Sequence, residues 1–143
     1  MFGQEQGCVF CRIVRGEAEA SLVHEDDLVT AFLDINPVTP GHVLVVPRRH
    51  VPSLGELEDA EAARLMLVGR SVLGALRGGA VRCEGVNLFL ADGEAAGQEV
   101  GHAHLHVFPR FAGDGFALHG DWTRFPPRAE LDALAARLRA ALG

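Results

Sequence analysis

At 143 residues the chain fits a single domain, 1–143, since independent domains typically hold about 100–150 residues. Its 48% hydrophobic and 22% charged side chains exclude a disordered composition, and 19 acidic against 13 basic residues, a formal charge of −6, disfavour delocalised duplex binding, which needs a basic surface. Every residue in the Lys+Arg count is Arg, so a Schiff-base lysine and a P-loop lysine are excluded, and the absence of Tyr excludes a tyrosine nucleophile.

No apolar run approaches the roughly 20 residues that cross a bilayer, so no membrane partner is expected. The start, Met-Phe-Gly-Gln-Glu-Gln-Gly-Cys, has neither the basic residues nor the apolar core of a secretion signal. Three cysteines, Cys8, Cys11 and Cys83, make an odd set without disulfide density, and a reducing cytoplasm is the expected compartment.

Residues 9–14 predict a short helical turn stopped by Gly16. Residues 21–25 and 28–33 predict an antiparallel hairpin around the acidic Asp26-Asp27 turn. Asn36-Pro37 and Pro40-Gly41 precede a β-branched run, 42–47, ending where Pro47 removes a ladder donor, which predicts a third, internal strand. From Glu56 to Leu76 the positions Leu57, Leu65, Val68, Val72 and Leu76 follow helical spacing, with Glu56, Glu58 and Asp59 at the dipole-favoured end. Gly78-Gly79 ends this long helix.

Residues 86–90 and 102–108 predict two more strands, paired antiparallel across a turn-rich Asp-Gly-Glu-Ala-Ala-Gly segment. After Pro109 comes a packed surface loop, of a length that is often functional. Pro126-Pro127 then introduces a last helix with Leu131, Leu134, Leu138 and Leu142 on one stripe. The fold class is α+β: a five-stranded antiparallel sheet, one long helix and a C-terminal helix, without internal repeats.

The chemistry concentrates in Gly-His-Ala-His-Leu-His-Val-Phe. A spacing of two puts His102, His104 and His106 on one face of a strand and Ala103, Leu105 and Val107 on the other. Imidazole, with a pKa near 6.5, attacks when neutral and donates when charged, which points to nucleophilic and acid–base catalysis on electrophilic phosphorus or carbonyl. A purely metal-binding cluster is the other reading. The Cys8-x-x-Cys11 spacing suits either two zinc-bound thiolates or thiol redox chemistry, and Cys83 reads as a small buried side chain. Asp34, at the end of its strand, suits either the hydroxyls of a ribose or the cap of the following turn.

At this point Gln98-Glu-Val-Gly-His102-Ala-His104-Leu-His106-Val-Phe108 resembles the histidine triad signature of the HIT family, whose members act on nucleotide phosphoanhydrides and phosphoramidates. The resemblance covers nearly the whole chain, including Cys-Val-Phe-Cys at 8–11, Ala-Phe-Leu-Asp-Ile-Asn-Pro at 31–37 and Gly-His-Val-Leu-Val-Val-Pro-Arg-Arg-His at 41–50. It implies a HIT-like fold, commonly dimerised into a continuous sheet, hence a homodimer.

It also implies that His104 is the nucleophile that becomes nucleotidylated, and that His106 bonds the phosphoryl oxygens. Cys8, Cys11, His50 and His102 would hold a structural zinc ion, as in bacterial members. Val9, Phe10, Ile13, Phe32 and Ile35 would form the wall facing a purine base, with Asp34 on the ribose. Asn87 and Gln98 would reach phosphate or leaving group, and Gly97 would allow phosphate to approach closely. Arg110 offers a planar donor set to polyphosphate, while Trp122 suits either core packing or, as tails do in some relatives, the completion of a neighbouring subunit's site.

Two positions depart from the pattern: Glu99 stands where many members carry Ser or Thr, and Ala91 where eukaryotic diadenosine-polyphosphate hydrolases carry Gln. The expected function is hydrolysis of purine nucleoside phosphoramidates or related phosphoanhydrides through a nucleotidyl-histidine. The alternatives are a dinucleoside polyphosphate hydrolase and a non-catalytic, zinc-stabilised nucleotide-binding protein.

Overall fold

The computed structural model describes residues 7–143. The start read above as lacking a secretion signal lies, apart from Gly7 and Cys8, outside the described residues. In chain order the elements are α1 (Val9–Val14), β1 (Leu22–Glu25), β2 (Val29–Leu33), β3 (Val43–Pro47), α2 (Asp59–Ala75), β4 (Gly85–Phe89), β5 (Leu105–Arg110) and α3 (Arg128–Leu142). The five strands form one antiparallel sheet in the order β1-β2-β3-β5-β4.

Strand alternation gives this sheet two apolar faces, each with its own cover. Val29, Ala31, Val43, Val45, Leu105 and Val107 pack against Leu65, Val68, Val72 and Leu76 of α2. The helix comes so close at Gly69 that an added Cβ would sit 2.9 Å from Leu105 Cδ2. On the opposite face, registers Phe32↔Leu44, Leu44↔His106 and Phe89↔His106 align one row across four strands. Part of this row packs under α1, where Phe10, Cys11, Phe32, Leu44 and Val46 form a second cluster. His106 therefore sits in a mostly apolar row, open where α1 does not reach.

Several boundaries differ from the sequence reading, most of them by one residue. The long helix begins at Asp59 because Leu54–Glu56 forms a separate 3-10 turn capped by Ser53. The reciprocal pairing of Glu58 and Glu61 caps its true start, and it runs on through a π-turn, Leu76–Ala80, until Gly79 takes φ 99°. The last strand begins at Leu105, not His102: Pro47 brings no N–H to the ladder, and His102 Nε2 instead donates to its carbonyl at 2.7 Å. That strand runs through Pro109 because its β3 pairing ends at Val43↔Val107, so no β3 bond is lost there.

The leucine stripe of α3 lies exposed, Leu142 at 88% and Leu138 at 64%, and Trp122 is 75% exposed. Core packing for Trp122 is thus overturned. Among the described residues no helix is long and apolar enough to cross a membrane.

Candidate active site

The three histidines of the triad separate into two sites. His102, wholly buried, turns its ring toward α1: Nδ1 lies 3.5 Å from both Cys8 Sγ and Cys11 Sγ, and His50 Nδ1 lies 3.2 Å from Cys11 Sγ. All four donor atoms fall within 4.8 Å of one another. The bond from His102 Nε2–H to the Pro47 carbonyl leaves Nδ1 as the lone-pair nitrogen facing the sulfurs, as a metal ligand requires. The cluster brings together every residue expected of a metal site and is capable of coordination.

His104 and His106, with rings 4.9 Å apart, open instead onto a cavity of about 610 Å³, within the range of small-ligand sites. Hydrogen bonds define their tautomers. His104 Nδ1 lies 2.7 Å from the His102 carbonyl, so Nδ1–H donates and Nε2 keeps its lone pair. His42 Nδ1 accepts from the Val38 amide at 3.0 Å; its Nε2–H therefore donates to His106 Nδ1, 2.9 Å away, and His106 carries its proton on Nε2. The result is an acceptor nitrogen on His104 beside a donor nitrogen on His106.

Burial holds these rings neutral. Desolvation lowers the His104 pKa against the opposing pull of its carbonyl bond, Asp34 and Glu99, and lowers that of His42 despite Asp34. His106, desolvated and beside two other imidazoles, is brought down to about 4. Neutral imidazole is the form that offers a nucleophilic lone pair.

The wall is assembled from separated segments. Val9, Phe10 and Ile13 come from α1, Phe32 from β2, and Asp34 and Ile35 from the turn after it. Phe10 packs edge-on against Phe32 and His104, with centroids 5.4 and 5.1 Å apart. Ile35 is 99% exposed at the rim. Asp34 caps the turn, Oδ1 accepting from the Asn36 amide at 2.9 Å, while its Oδ2 lies 3.6 Å from His42 Nε2 at the cavity. Gly97, at φ 93°, brings bare backbone to the opposite rim.

Two expected contacts lie elsewhere. Gln98 is buried behind the loop, its Oε1 accepting from the Gly93 amide and its Nε2 donating to the Pro52 and Val100 carbonyls, so its amide braces the loop and does not line the cavity. Asn87 lies on a shallow face at the sheet edge, where its Oδ1 accepts from Arg110 at 2.7 Å. Arg110 makes three further bonds, to Asp114 and the Phe116 carbonyl, stacks over the Phe116 ring and does not line the cavity.

Other lining residues were not singled out in the sequence: His42, Phe89, Phe108, and Phe116 and Leu118 from the long loop before α3. For His42 the only local signal was a histidine opening a β-branched run. Its place beside His106 comes from pairing between strands more than 50 residues apart.

An α+β sheet with one covering helix, and a neutral imidazole pair in an apolar cavity beside a Cys2His2 cluster, define a histidine-triad protein. The chain belongs to the HIT family, whose domain matches residues 15–113. An uncharacterised HIT-like protein of Borreliella burgdorferi is 47% identical over 110 residues, 76% of this chain and 79% of its own length. The adenosine 5′-monophosphoramidase hnt1 of Schizosaccharomyces pombe is 33% identical over 119 residues, 83% of this chain and 85% of its own. A crystal structure of a HIT family member from Bacillus subtilis superposes with a TM-score of 0.87 at 33% identity, covering 96% of this chain and 98% of that one. A Zn-bound histidine triad family protein from Mycobacterium smegmatis superposes with a TM-score of 0.75 at 38% identity, covering 96% and 99%. The chain thus carries the nucleotide-handling, histidine-based hydrolase or transferase site of that family.

Proposed function

We propose that this protein hydrolyses purine nucleoside 5′-phosphoramidates, or related phosphoanhydrides, in two displacements at one phosphorus. The carrying observation is the tautomer pair: His104 Nε2 has a free lone pair because Nδ1–H is held by the His102 carbonyl, and His106 presents Nε2–H beside it. Nε2 of His104 attacks phosphorus and the P–N or P–O bond breaks, the leaving group departing with the electron pair and one proton. His106 Nε2–H stabilises the charge gathering on the phosphoryl oxygens. Water then attacks the same phosphorus, breaks the N–P bond and returns one proton, giving a nucleoside monophosphate and neutral His104.

In this reading the apolar wall of Phe10, Ile13, Phe32 and Ile35 holds a purine, and Asp34 Oδ2 accepts from the ribose. The similarity to a monophosphoramidase supports the amide bond as the one cleaved. A dinucleoside polyphosphate substrate loses its main support because Arg110 is committed elsewhere. Turnover of adenosine phosphoramidate followed by phosphorus NMR tests the proposal: the wild type releases AMP, and His104→Asn is slower by at least about 100-fold. AMP binding with no hydrolysis by the wild type would instead mark a non-catalytic nucleotide-binding protein.

Zinc is the proposed occupant of the Cys8, Cys11, His50 and His102 cluster. Tetrahedral zinc with bonds of about 2.3 Å to sulfur and 2.0–2.1 Å to nitrogen sets neighbouring donors roughly 3.3–3.8 Å apart. The Sγ to Nδ1 separations of 3.2–3.5 Å are close to that spacing. The ion would supply a cross-link between α1, the His50 turn and the start of β5. His102, held at both nitrogens, then fixes the carbonyl that sets the tautomer of His104. A reducing, cytoplasmic setting suits such thiolates.

The proposed assembly is a homodimer, supported by the exposed stripe of α3. Its 15 residues are a tenth of the chain, so the 96% overlap with the B. subtilis structure includes most of them. A helix that keeps its leucines off its own domain and still superposes on a relative is consistent with a fixed docking place on a second copy.

A further inference from the structure

The charge around the cavity is unusual for a site that handles phosphate. Its charged lining side chains among the described residues are Glu19, Asp34 and Glu99, all acidic, and no arginine joins them. The three imidazoles that line it, His42, His104 and His106, are engaged in hydrogen bonds with one another and with the backbone, and none is a permanent cation as an arginine is. Such a surrounding is hostile to a substrate of several negative charges and tolerates one whose single phosphoryl charge is balanced elsewhere on the same molecule.

Glu99 is the carboxylate placed to provide that balance. It is exposed on the loop before β5, next but one to Gly97, and lines the cavity together with His104 and His106. Asp34, by contrast, has one oxygen committed to its turn and the other near His42, on the strand side of the cavity. An ionised carboxylate only accepts hydrogen bonds, so it cannot donate to a phosphoryl or bridging oxygen, whereas an ammonium group supplies both the charge and the donors it lacks.

We propose that Glu99 is a specificity residue that accepts a cationic leaving group, so that the preferred substrates are nucleoside phosphoramidates whose departing amine carries a second, ammonium-bearing arm. This rests on the phosphoramidase reading and adds the leaving-group class to it. The chemistry is unchanged: the P–N bond breaks as the His104 Nε2–P bond forms, the amine leaves with the electron pair and a proton from solvent, and the attacking water restores that proton. Glu99 contributes only attraction for the ammonium arm.

The test uses three adenosine 5′-phosphoramidates of matched length, with 2-aminoethylamine, propylamine and β-alanine as leaving groups, hence cationic, neutral and anionic. Wild-type kcat/KM falls in that order, with about a tenfold span from cation to anion that shrinks as salt is raised. In Glu99→Gln the span contracts to within about twofold, and in Glu99→Arg the order reverses. Equal hydrolysis of all three by the wild type, or a span that survives in Glu99→Gln, overturns the role of Glu99 and leaves the phosphoramidase reading standing. Hydrolysis of none of the three overturns both.

Discussion

A histidine that is neutral in the folded protein and chargeable in the unfolded chain leaves a signature in stability against pH. His106 is faced by His42, His104 and Asp34, and its pKa stands at about 4, below the ordinary 6.5. Between these values the unfolded chain binds the proton and the folded protein does not, so stability falls as pH drops from about 6.5 toward 4 and levels off below. Replacing His106 by Gln removes that contribution. Thermal melts at pH 7 and pH 4.5 are expected to show a larger fall in Tm for wild type than for His106→Gln, and equal falls would contradict the buried, neutral assignment. The roles of individual residues were partly legible from sequence. The period-two histidines and the Cys pair announce themselves because their partners are near in the chain or alike in chemistry. For Gln98 and Asn87 the resemblance misled, because likeness of sequence does not show that an amide is already bonded, here to backbone and to Arg110.

At the scale of elements, hydrophobic periodicity was enough to place all five strands and the three helices. Their ends were harder, because the 3-10 turn before α2 and the late start of β5 depend on caps and on Pro47 contacts made across the fold. The α2 stripe carries a direct consequence. Leu65 is buried in the cluster of sheet and helix, whereas Leu67 points outward. Leu65→Ala is expected to cost about 2–5 kcal/mol in urea unfolding, and Leu67→Ala under about 1 kcal/mol. Similar costs for the two would contradict the helix orientation. The short α1 has no side-chain N-cap, and six residues are too few to be stable alone. On the proposed ligation of zinc by Cys8 and Cys11, stripping the metal is expected to lower Tm by more than about 5 °C, with restoration by Zn²⁺. Elemental analysis showing no zinc after refolding with the ion would contradict it.

For the whole molecule, the division of labour between sheet faces explains how one short chain holds both a core and a site. One face is sealed by α2 and supplies stability; the other is left part-covered by α1 and by the loop carrying Phe116 and Leu118, and supplies the cavity. The sequence could not show that α3 stands apart, because an amphipathic stripe looks the same whether it packs on its own sheet or on another copy. Placing charges in that stripe by Leu134→Asp with Leu138→Asp is expected to convert a sedimenting dimer to a monomer. A wild type already monomeric at micromolar concentration would contradict the dimer.

The proposed hydrolysis turns on a transient covalent bond between phosphorus and His104 Nε2, and that bond can be trapped. Rapid acid-free quenching of wild type with adenosine phosphoramidate, followed by intact-mass and peptide analysis, is expected to show one adenylyl group per chain on His104 and none in His104→Asn. Full turnover with no adduct, or an adduct on His102 or His106 instead, would contradict it.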